Sequence, residues 1–381
     1  MTETLRLFIL AGEPSGDRVA ADLVARLRSK VSLEVSGVGG DELVGQGLTT
    51  LYPMSDLAVM GITDVVLNLP RLLWRLEQTA RTILAANPDM VVLVDAQDFS
   101  RLLAARLRKR GFRGRLILYV APSVWARNPE RAARLTPLFD AVLAVLPFEP
   151  ETMRRLGGPS TSYVGHPALA EALPARDVSQ RGPVILLPGS RGGELRRHLP
   201  MFATLSAELA GRPEVTELVM PTLPRLRQRL ANETATWPVP VRIEDTRAAR
   251  RQLYSEAIAA VCVSGTVTLE LALARVPMVV VYALDGHQAR IYEKLGRPPV
   301  SLPNIILQHP VVPEIVEAAL PQQTVRDAVV EMLDNKKARQ DQIAAFGELV
   351  NLMEEGMPPY RRRDPAEQVL SIWRDQRLLI G

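Results

Sequence analysis

The chain has 381 residues, 47% of them hydrophobic and 23% charged, with a net charge of +4. This length accommodates two domains, and the composition is that of a globular enzyme rather than a disordered or fibrous chain. No apolar run reaches the ~18 residues of a membrane span. The N-terminus lacks a signal-like basic flank. The single cysteine, Cys262, excludes an internal disulfide. We therefore expect a protein of the reducing cytoplasm without a bound metal or other cofactor.

Short apolar runs alternate with helix-like segments, which predicts stacked βαβ units and mainly parallel sheets. The predicted strands are 7–10, 33–38, 90–94, 115–120 and 141–146 in the first half, then 184–187, 217–220, 239–243, 259–263 and 277–281. A first helix is predicted over 17–30 and a last one over 364–379. We divide the chain into an N-terminal domain (1–168), a linker (169–183), a C-terminal domain (184–355) and a helical tail (356–381). The predicted architecture is α/β, with two doubly wound Rossmann-like domains facing across a cleft.

The turn after the first strand carries polar residues and glycines: Gly12, Glu13, Ser15, Gly16 and Asp17. Such a turn at a helix N-terminus suits contact with an anionic substrate. Ser15 and Asp17 are equally suited to cap the helix that follows.

Asp95 ends the apolar run 90–94, where the mouth of a buried strand would hold a general base. Asp98 lies three residues on, before a basic helix-like segment. For Asp95 we favour catalysis, and for Asp98 we favour capping of that helix over a contact with substrate.

Two strand-to-helix turns in the second half suit a nucleotide. The first contains Gly189, Ser190 and Arg191, whose backbone N–H groups and guanidinium suit a diphosphate. The second contains Ser264, Gly265 and Thr266, and Glu270 follows within its helix. The Glu270 carboxylate suits the two hydroxyls of a ribose, so we predict a nucleoside-diphosphate sugar as ligand.

Residues 67–81 predict a helix in which Leu69, Leu72, Leu73 and Leu76 form a packing stripe. Trp74 lies off that stripe beside Arg71 and Arg75, a combination found at membrane interfaces. Burial of Trp74 against another element is the alternative that we favour. Residues 101–134 hold ten Arg or Lys against one acid, which fits either a solvated helix face or a surface for anionic lipid.

These segments together resemble the lipid A disaccharide synthases, glycosyltransferases of family 19 with the GT-B fold. The resemblance covers nearly the whole chain in order and spacing. The matching segments are 11–17, 57–61, 95–99, 121–126, 146–149, 164–167, 187–191, 264–266 and 301–304, and they continue to about Glu314.

The resemblance implies transfer of 2,3-diacylglucosamine from its UDP derivative to 2,3-diacylglucosamine 1-phosphate, with release of UDP. It implies catalytic roles for Asp95 and Arg191 and a ribose contact for Glu270. It also implies substrate contacts in the segments that contain Ser123, His166 and Asn304, although His166 is equally suited to a structural role. The resemblance implies an inverting reaction, and the lack of an Asp-x-Asp pair gives no indication of a metal-bridged diphosphate. The expected location is the inner face of the membrane, with peripheral attachment and room for a homodimer.

The chain departs from the family pattern near the predicted nucleotide site. Asn128 replaces the expected arginine, Ala283 replaces a basic residue, and Glu317 replaces an amide. Gln308-His309 replaces a glycine–arginine pair. His287, Arg290 or His309 would have to supply the missing positive charge.

Three other functions share this architecture. One is a GT-B transferase with another UDP-sugar and another lipid acceptor, and a second is a UDP-N-acetylglucosamine 2-epimerase. A third is a UDP-sugar-binding protein without activity. Retention of Asp95 and Arg191 argues against the third, because a binding protein needs no base.

Overall fold

The computed structural model describes residues 4–57, 62–174 and 181–380. The chain forms two compact units: Met1–Pro167 together with Met353–Gly381, and Ala168–Leu352. We describe each unit by itself.

The first unit is built on a parallel sheet of six strands with the order β2-β1-β3-β4-β5-β6. Its strands are β1 (Thr4–Ala11), β2 (Ser32–Val38), β3 (Met90–Val94), β4 (Arg115–Tyr119), β5 (Ala141–Ala144) and β6 (Thr161–Tyr163). Its helices are α1 (Pro14–Arg28), α2 (Asp41–Gly45), α3 (Ile62–Ala86), α4 (Gln97–Lys109), α5 (Arg131–Leu135) and α6 (Glu149–Arg155). The strand order reverses between β1 and β3, so the turns after these two strands border the crevice where such sheets bind ligands.

The second unit repeats the design with the strand order β12-β11-β10-β7-β8-β9, also parallel. Its strands are β7 (Gly182–Leu187), β8 (Val215–Pro221), β9 (Arg242–Glu244), β10 (Ala259–Cys262), β11 (Met278–Ala283) and β12 (Glu314–Glu317). Its helices are α7 (Gly192–Ala210), α8 (Arg227–Thr234), α9 (Arg247–Glu256), α10 (Thr266–Leu273), α11 (Gly286–Lys294), α12 (Leu302–Leu307), α13 (Gln322–Asp334) and α14 (Lys336–Glu355), the last of which ends in the first unit. Here the order reverses between β7 and β10, which places the turns after them at the ligand-binding crevice of this sheet.

The chain ends in the first unit with a two-stranded ribbon, β13 (Gly356–Met357) and β14 (Tyr360–Arg361), and helix α15 (Pro365–Ile380). Ion pairs tie the start of α15 to α1, from Arg26 to Asp364 at 3.1 Å and from Lys30 to Glu367 at 2.5 Å. Trp373 is buried, so the predicted terminal helix packs by an apolar side.

The predicted doubly wound α/β class is confirmed, and β3 has the predicted bounds. Two strand ends differ for physical reasons. The strand predicted from Val239 begins at Arg242, because Pro238 and Pro240 have no N–H to donate to a ladder. The fifth strand ends at Ala144, because a carboxylate takes the next two N–H groups.

Parts of two predicted segments, 58–61 and 175–180, lie outside the described residues. The predicted linker is partly strand, since β7 begins at Gly182, and the division at 168, 183 and 355 stays a prediction. In the described part of the chain, no helix has the length and hydrophobicity needed to span a bilayer.

Candidate active site

The turn after β3 holds Asp95 in a strained conformation. Asp95 and Ala96 have φ angles of 56° and 46°, in the left-handed region that side chains disfavour. Such strain costs about 1–3 kcal/mol per residue and persists only where the surroundings impose it. The Asp95 N–H donates to the Tyr119 carbonyl at 2.9 Å, and the Ser100 hydroxyl donates to the Asp95 carbonyl at 2.8 Å.

A third strained residue lies on the neighbouring strand end. Val120 has φ 76°, which is rare for a β-branched residue. The Gln97 side-chain amide donates to the Val120 carbonyl at 2.9 Å and so ties the Asp95 turn to the end of β4. This role of Gln97 is not predictable from the sequence, because the hydrogen bond depends on strand order.

The first βα turn contacts the Asp95 turn. A Cβ at Gly12 would lie 2.6 Å from the Ala96 Cβ, so only glycine fits there. A Cβ at Gly16 would lie 3.6 Å from the Asp95 Cβ. Burial raises the pKa of Asp95 above its usual value, which makes its carboxylate a stronger base.

In the turn after β1, neither Ser15 nor Asp17 caps α1, so the capping alternative for these two residues is wrong. Glu13 is the N-cap but makes no side-chain capping bond, and Ser15 is exposed in the first turn. The buried Asp17 instead caps α2, accepting the N–H groups of Gly40 at 2.8 Å and Glu42 at 2.9 Å. The N-terminal N–H groups of α2 attract this carboxylate as they would any anion.

Asp98 does not cap α4, whose N-cap is Ala96, because Asp98 already lies inside the first turn. It is exposed and pairs with Arg131 at 3.0 Å. Ser123 is exposed in the loop after β4. His166 is half-buried, and burial together with the charge of Arg18 lowers its pKa to about 4, which leaves it neutral at physiological pH.

A buried acid that sequence reasoning assigned no role lies after β5. Glu149 accepts the N–H groups of Val145 at 3.2 Å and Leu146 at 3.0 Å, and the indole of Trp125 at 3.4 Å. Burial raises the pKa of Glu149 to about 7. This carboxyl therefore links the Trp125 loop to the end of β5.

The arginine turn of the second unit is built around a carboxylate. Glu194, buried in the first turn of α7, accepts the N–H groups of Ser190 and Arg191, both at 3.2 Å. Gly189 has φ 102°, and a Cβ there would lie 2.6 Å from the Glu194 carboxylate. The prediction that these N–H groups are free for a diphosphate is therefore wrong. The Arg191 guanidinium donates to Glu194 at 3.1 Å, yet its side chain remains 69% exposed.

A buried histidine connects this turn to β11. One ring nitrogen of His198, Nδ1, is 2.8 Å from the Glu194 carbonyl, and the other, Nε2, accepts the Ala283 N–H at 2.8 Å. Burial lowers the pKa of His198, consistent with a neutral ring that accepts this bond. Position 283, where a basic residue was expected, is thus held to α7 through its backbone.

The residues at the beginning of α10, in the turn after β10, are exposed. A Cβ at Gly265 would meet nothing within 4 Å, and Thr266 is exposed. The Ser264 hydroxyl donates to the Val300 carbonyl at 2.7 Å. Glu270 is half-buried and lines a small cavity of about 10 Å³ with Arg251 and Tyr254. The ribose contact stays a prediction.

Asn304 is buried and fully engaged within its own loop. Its carbonyl accepts the N–H groups of Val311 and Val312, each at 2.8 Å. Its amide donates to the Val312 carbonyl at 2.9 Å and to Glu314 at 2.8 Å. Nearby, Glu317 pairs with Arg297, which offsets the negative charge that replaces the family's amide.

The helix over Ile62–Ala86 exposes residues that the sequence assigned to packing. Leu76 is buried, but Leu69 and Leu73 are 45% and 46% exposed. Trp74 is 57% exposed, so the favoured prediction of its burial is wrong.

The neighbouring arginines are partly neutralised. Arg75 pairs with Asp56 at 2.5 Å and stacks on Trp74 at 4.2 Å, while Arg71 is 3.8 Å from Asp56.

Several cations of the basic run 101–134 are also paired. Glu77 binds Arg106 and Arg110, Asp140 binds Arg108 and Arg115, and Asp98 binds Arg131. This surface is less positive than the sequence suggests.

Solved structures share the fold at low sequence identity. UDP-GlcNAc 2-epimerase from Neisseria meningitidis, determined bound to UDP-GlcNAc, superposes with a TM-score of 0.60 over the full length of both chains at 12% identity. MurG from Acinetobacter baumannii gives a TM-score of 0.56 at 13% identity, over 97% of this chain and 99% of that one. These similarities show the GT-B fold alone.

Sequence relatives are closer. The protein family described as lipid-A-disaccharide synthetase matches residues 7–361. The lipid-A-disaccharide synthase of Rhodospirillum centenum is 39% identical over 97% of this chain and 94% of its own length. That of Nitrobacter winogradskyi is 38% identical over 96% and 94%. The chain belongs to the lipid-A-disaccharide synthase family, the glycosyltransferases that form the disaccharide of lipid A.

Proposed function

We propose that this chain transfers 2,3-diacylglucosamine from UDP-2,3-diacylglucosamine to the 6-hydroxyl of 2,3-diacylglucosamine 1-phosphate, with inversion and without a metal. The products are the β-1,6 disaccharide 1-phosphate and UDP. The first unit binds the acceptor and the second binds the donor. The observation that carries the proposal is the strained Asp95 turn, where burial strengthens the carboxylate as a base.

In this mechanism the Asp95 carboxylate takes the proton of the acceptor hydroxyl. The oxygen then attacks the anomeric carbon of the donor as the bond from that carbon to the diphosphate oxygen breaks. Negative charge grows on the leaving diphosphate, and the exposed Arg191 guanidinium at the N-terminus of α7 stabilises it. The contact residues proposed for the substrates are Gly12, Glu13, Ser15, Gly16, Asp17, Asp98, Ser123, His166, Gly189, Ser190, Ser264, Gly265, Thr266, Glu270 and Asn304.

The roles of Asp17 and Asn304 in this scheme are indirect. Asp17 holds the backbone at the beginning of α2, and Asn304 holds the loop that follows α12, so each acts on the shape of a loop. Glu270, which is half-buried, is the residue proposed to contact the ribose.

Acylated substrates lie in a membrane, and the proposal includes peripheral attachment to the inner membrane from the cytoplasmic side. The exposed side chains of Leu69, Leu73 and Trp74 support it, because together they form an apolar surface on one helix.

The test is an incubation with UDP-2,3-diacylglucosamine and 2,3-diacylglucosamine 1-phosphate, with the products identified by mass spectrometry. We expect equal amounts of UDP and disaccharide 1-phosphate. A parallel reaction contains UDP-N-acetylglucosamine in place of the acylated donor, from which we expect no product. If the protein uses UDP-N-acetylglucosamine and not the acylated donor, the assigned substrate is contradicted. If it epimerises UDP-N-acetylglucosamine, glycosyl transfer is contradicted.

A further inference from the structure

Glu194 takes part of the donor capacity of the arginine turn. Glu194 occupies the N–H groups of Ser190 and Arg191 and one N–H of the Arg191 guanidinium. A bound diphosphate spreads its negative charge over two phosphate groups, and a single guanidinium forks onto one of them. The remaining charge requires other cations near the N-terminus of α7.

Strand order brings such a cation from another helix. Because β7 and β8 are neighbours in a parallel sheet, the segments that follow them leave the same edge. Arg229 lies in the first turn of α8, which follows β8. A Cβ at Gly192, the first residue of α7, would lie 3.8 Å from the Arg229 Nη1 atom. The guanidinium of Arg229 therefore reaches the beginning of α7.

Arg196 and Arg197 of α7 also extend towards the first residues of that helix. Atom Nη1 of Arg196 would lie 3.9 Å from the Gly192 Cβ, and Nη1 of Arg197 would lie 3.6 Å from a Cβ at Gly193. Side chains of a helix lean towards its N-terminus, which explains this direction. Arg197 also donates to the Ala283 carbonyl at 2.9 Å through Nε.

In the described part of the chain, no carboxylate neutralises the arginines Arg196 and Arg229 near the N-terminus of α7. Within that part of the chain, Arg196 and Arg229 are exposed, and neither has a carboxylate at ion-pair distance. Arg227 of the same helix, by contrast, pairs with Asp245 at 2.6 Å. Guanidinium groups gathered around the positive end of a helix dipole repel one another unless an anion lies between them.

We propose that Arg229, with Arg196, binds the diphosphate of the donor opposite Arg191. The two arginines supply the positive charge that this chain lacks at Ala283 and His309. The inference rests on the proposed function, because it assumes that the ligand of this turn is a nucleoside diphosphate. Arg229 is a binding residue that belongs to α8, outside the motif that contains Arg191.

The experiment is isothermal titration of the full chain with UDP and with uridine. For Arg229→Gln we expect the Kd of UDP to rise about tenfold, as for a lost charge-assisted hydrogen bond, and the Kd of uridine to change less than about twofold. We expect Arg196→Gln to behave in the same way. The matched control is Arg225→Gln, an exposed arginine just before α8, for which we expect the wild-type Kd of UDP. Circular dichroism verifies that each variant is folded.

The outcomes separate this inference from the proposed function. If Arg229→Gln binds UDP as tightly as the wild type while Arg191→Ala binds it more weakly, the role of Arg229 is overturned and the donor site stands. If UDP and uridine weaken equally in Arg229→Gln, the side chain does not act on the diphosphate and the inference fails. If the wild type binds no UDP, the proposed donor and this inference both fall.

Discussion

The side chains that hold the loops of this protein are carboxylates and amides directed at backbone N–H groups. Glu149, Glu194 and Asn304 each accept two such groups, and Asp17 accepts three. Glu149, Glu194 and Asn304 bind backbone groups of their own turn or loop, whereas Asp17 reaches α2, a segment more than twenty residues away. A short polar side chain beside a glycine predicts a cap or a ligand contact equally well.

Asn304→Ala tests whether this residue acts by holding its loop. The substitution leaves the N–H groups of Val311 and Val312 without their acceptor and removes one of the donors to Glu314, so we expect the free energy of unfolding to fall by about 2–4 kcal/mol. Urea denaturation measures it. Asn232→Ala, on the exposed side of α8, is the control and should change stability by less than about 0.5 kcal/mol. A variant as stable as this control would show that Asn304 is not needed for the loop.

Glu149 predicts a pH dependence of stability. Its folded pKa of about 7 exceeds the usual 4.5, so the folded protein binds the proton more tightly than the unfolded chain. This contribution is complete below about pH 4.5 and is lost as the pH rises through 7. Between pH 5 and pH 8 we expect the wild type to lose about 2–3 kcal/mol relative to Glu149→Gln. Denaturation curves of both proteins across this range measure the difference, and parallel curves would contradict a buried, protonated Glu149.

At the scale of elements, α3 carries the exposed apolar side chains that we propose as the membrane contact. Substituting Leu69, Leu73 and Trp74 together by Ser removes the exposed apolar area, and we expect the partition coefficient onto phospholipid vesicles to fall by at least about tenfold. Sedimentation with vesicles measures the bound fraction. Leu223→Ser, a substitution of an exposed leucine in the other unit, should leave it unchanged.

The effect of salt on vesicle binding should be smaller than that of the triple substitution, because Glu77 and Asp140 already pair with arginines of α4 and β4. If the triple variant binds vesicles as strongly as the wild type does, a role for α3 is contradicted.

The elements that the sequence predicted best are the buried parallel strands. Both faces of such a strand are apolar, so its residues form a continuous apolar run in the sequence. Short strands such as Thr161–Tyr163 and Glu314–Glu317 were missed, since polar residues interrupt them. The exposed side of α3 was also missed. Its leucines repeat with the period of a packed helix, and periodicity does not tell a protein core from a lipid surface.

At the scale of the whole molecule, the same rule places the proposed residues in each unit. Asp95 and the Gly12 turn follow strands β3 and β1, between which the first sheet reverses its order. The Arg191 and Ser264 turns follow β7 and β10, where the second sheet reverses. Alternation of strands and helices was enough to predict two such sheets and the turns that matter. The strain at Asp95 and Val120 and the approach of Arg229 could not be predicted, because they arise from contacts between segments distant in sequence.

The most direct test of the account measures turnover and UDP affinity in the same preparations of Asp95→Asn and Arg191→Ala. We predict that Asp95→Asn lowers kcat by at least ~100-fold while the Kd of UDP stays within about twofold of wild type, as for a lost general base. Arg191→Ala should lower kcat and weaken UDP binding together. Asp22→Asn, which removes an exposed carboxylate of the same unit that pairs with Arg26, is the reference for the loss of a negative charge. Near-wild-type turnover by Asp95→Asn, or an unchanged UDP affinity in Arg191→Ala, would contradict the account.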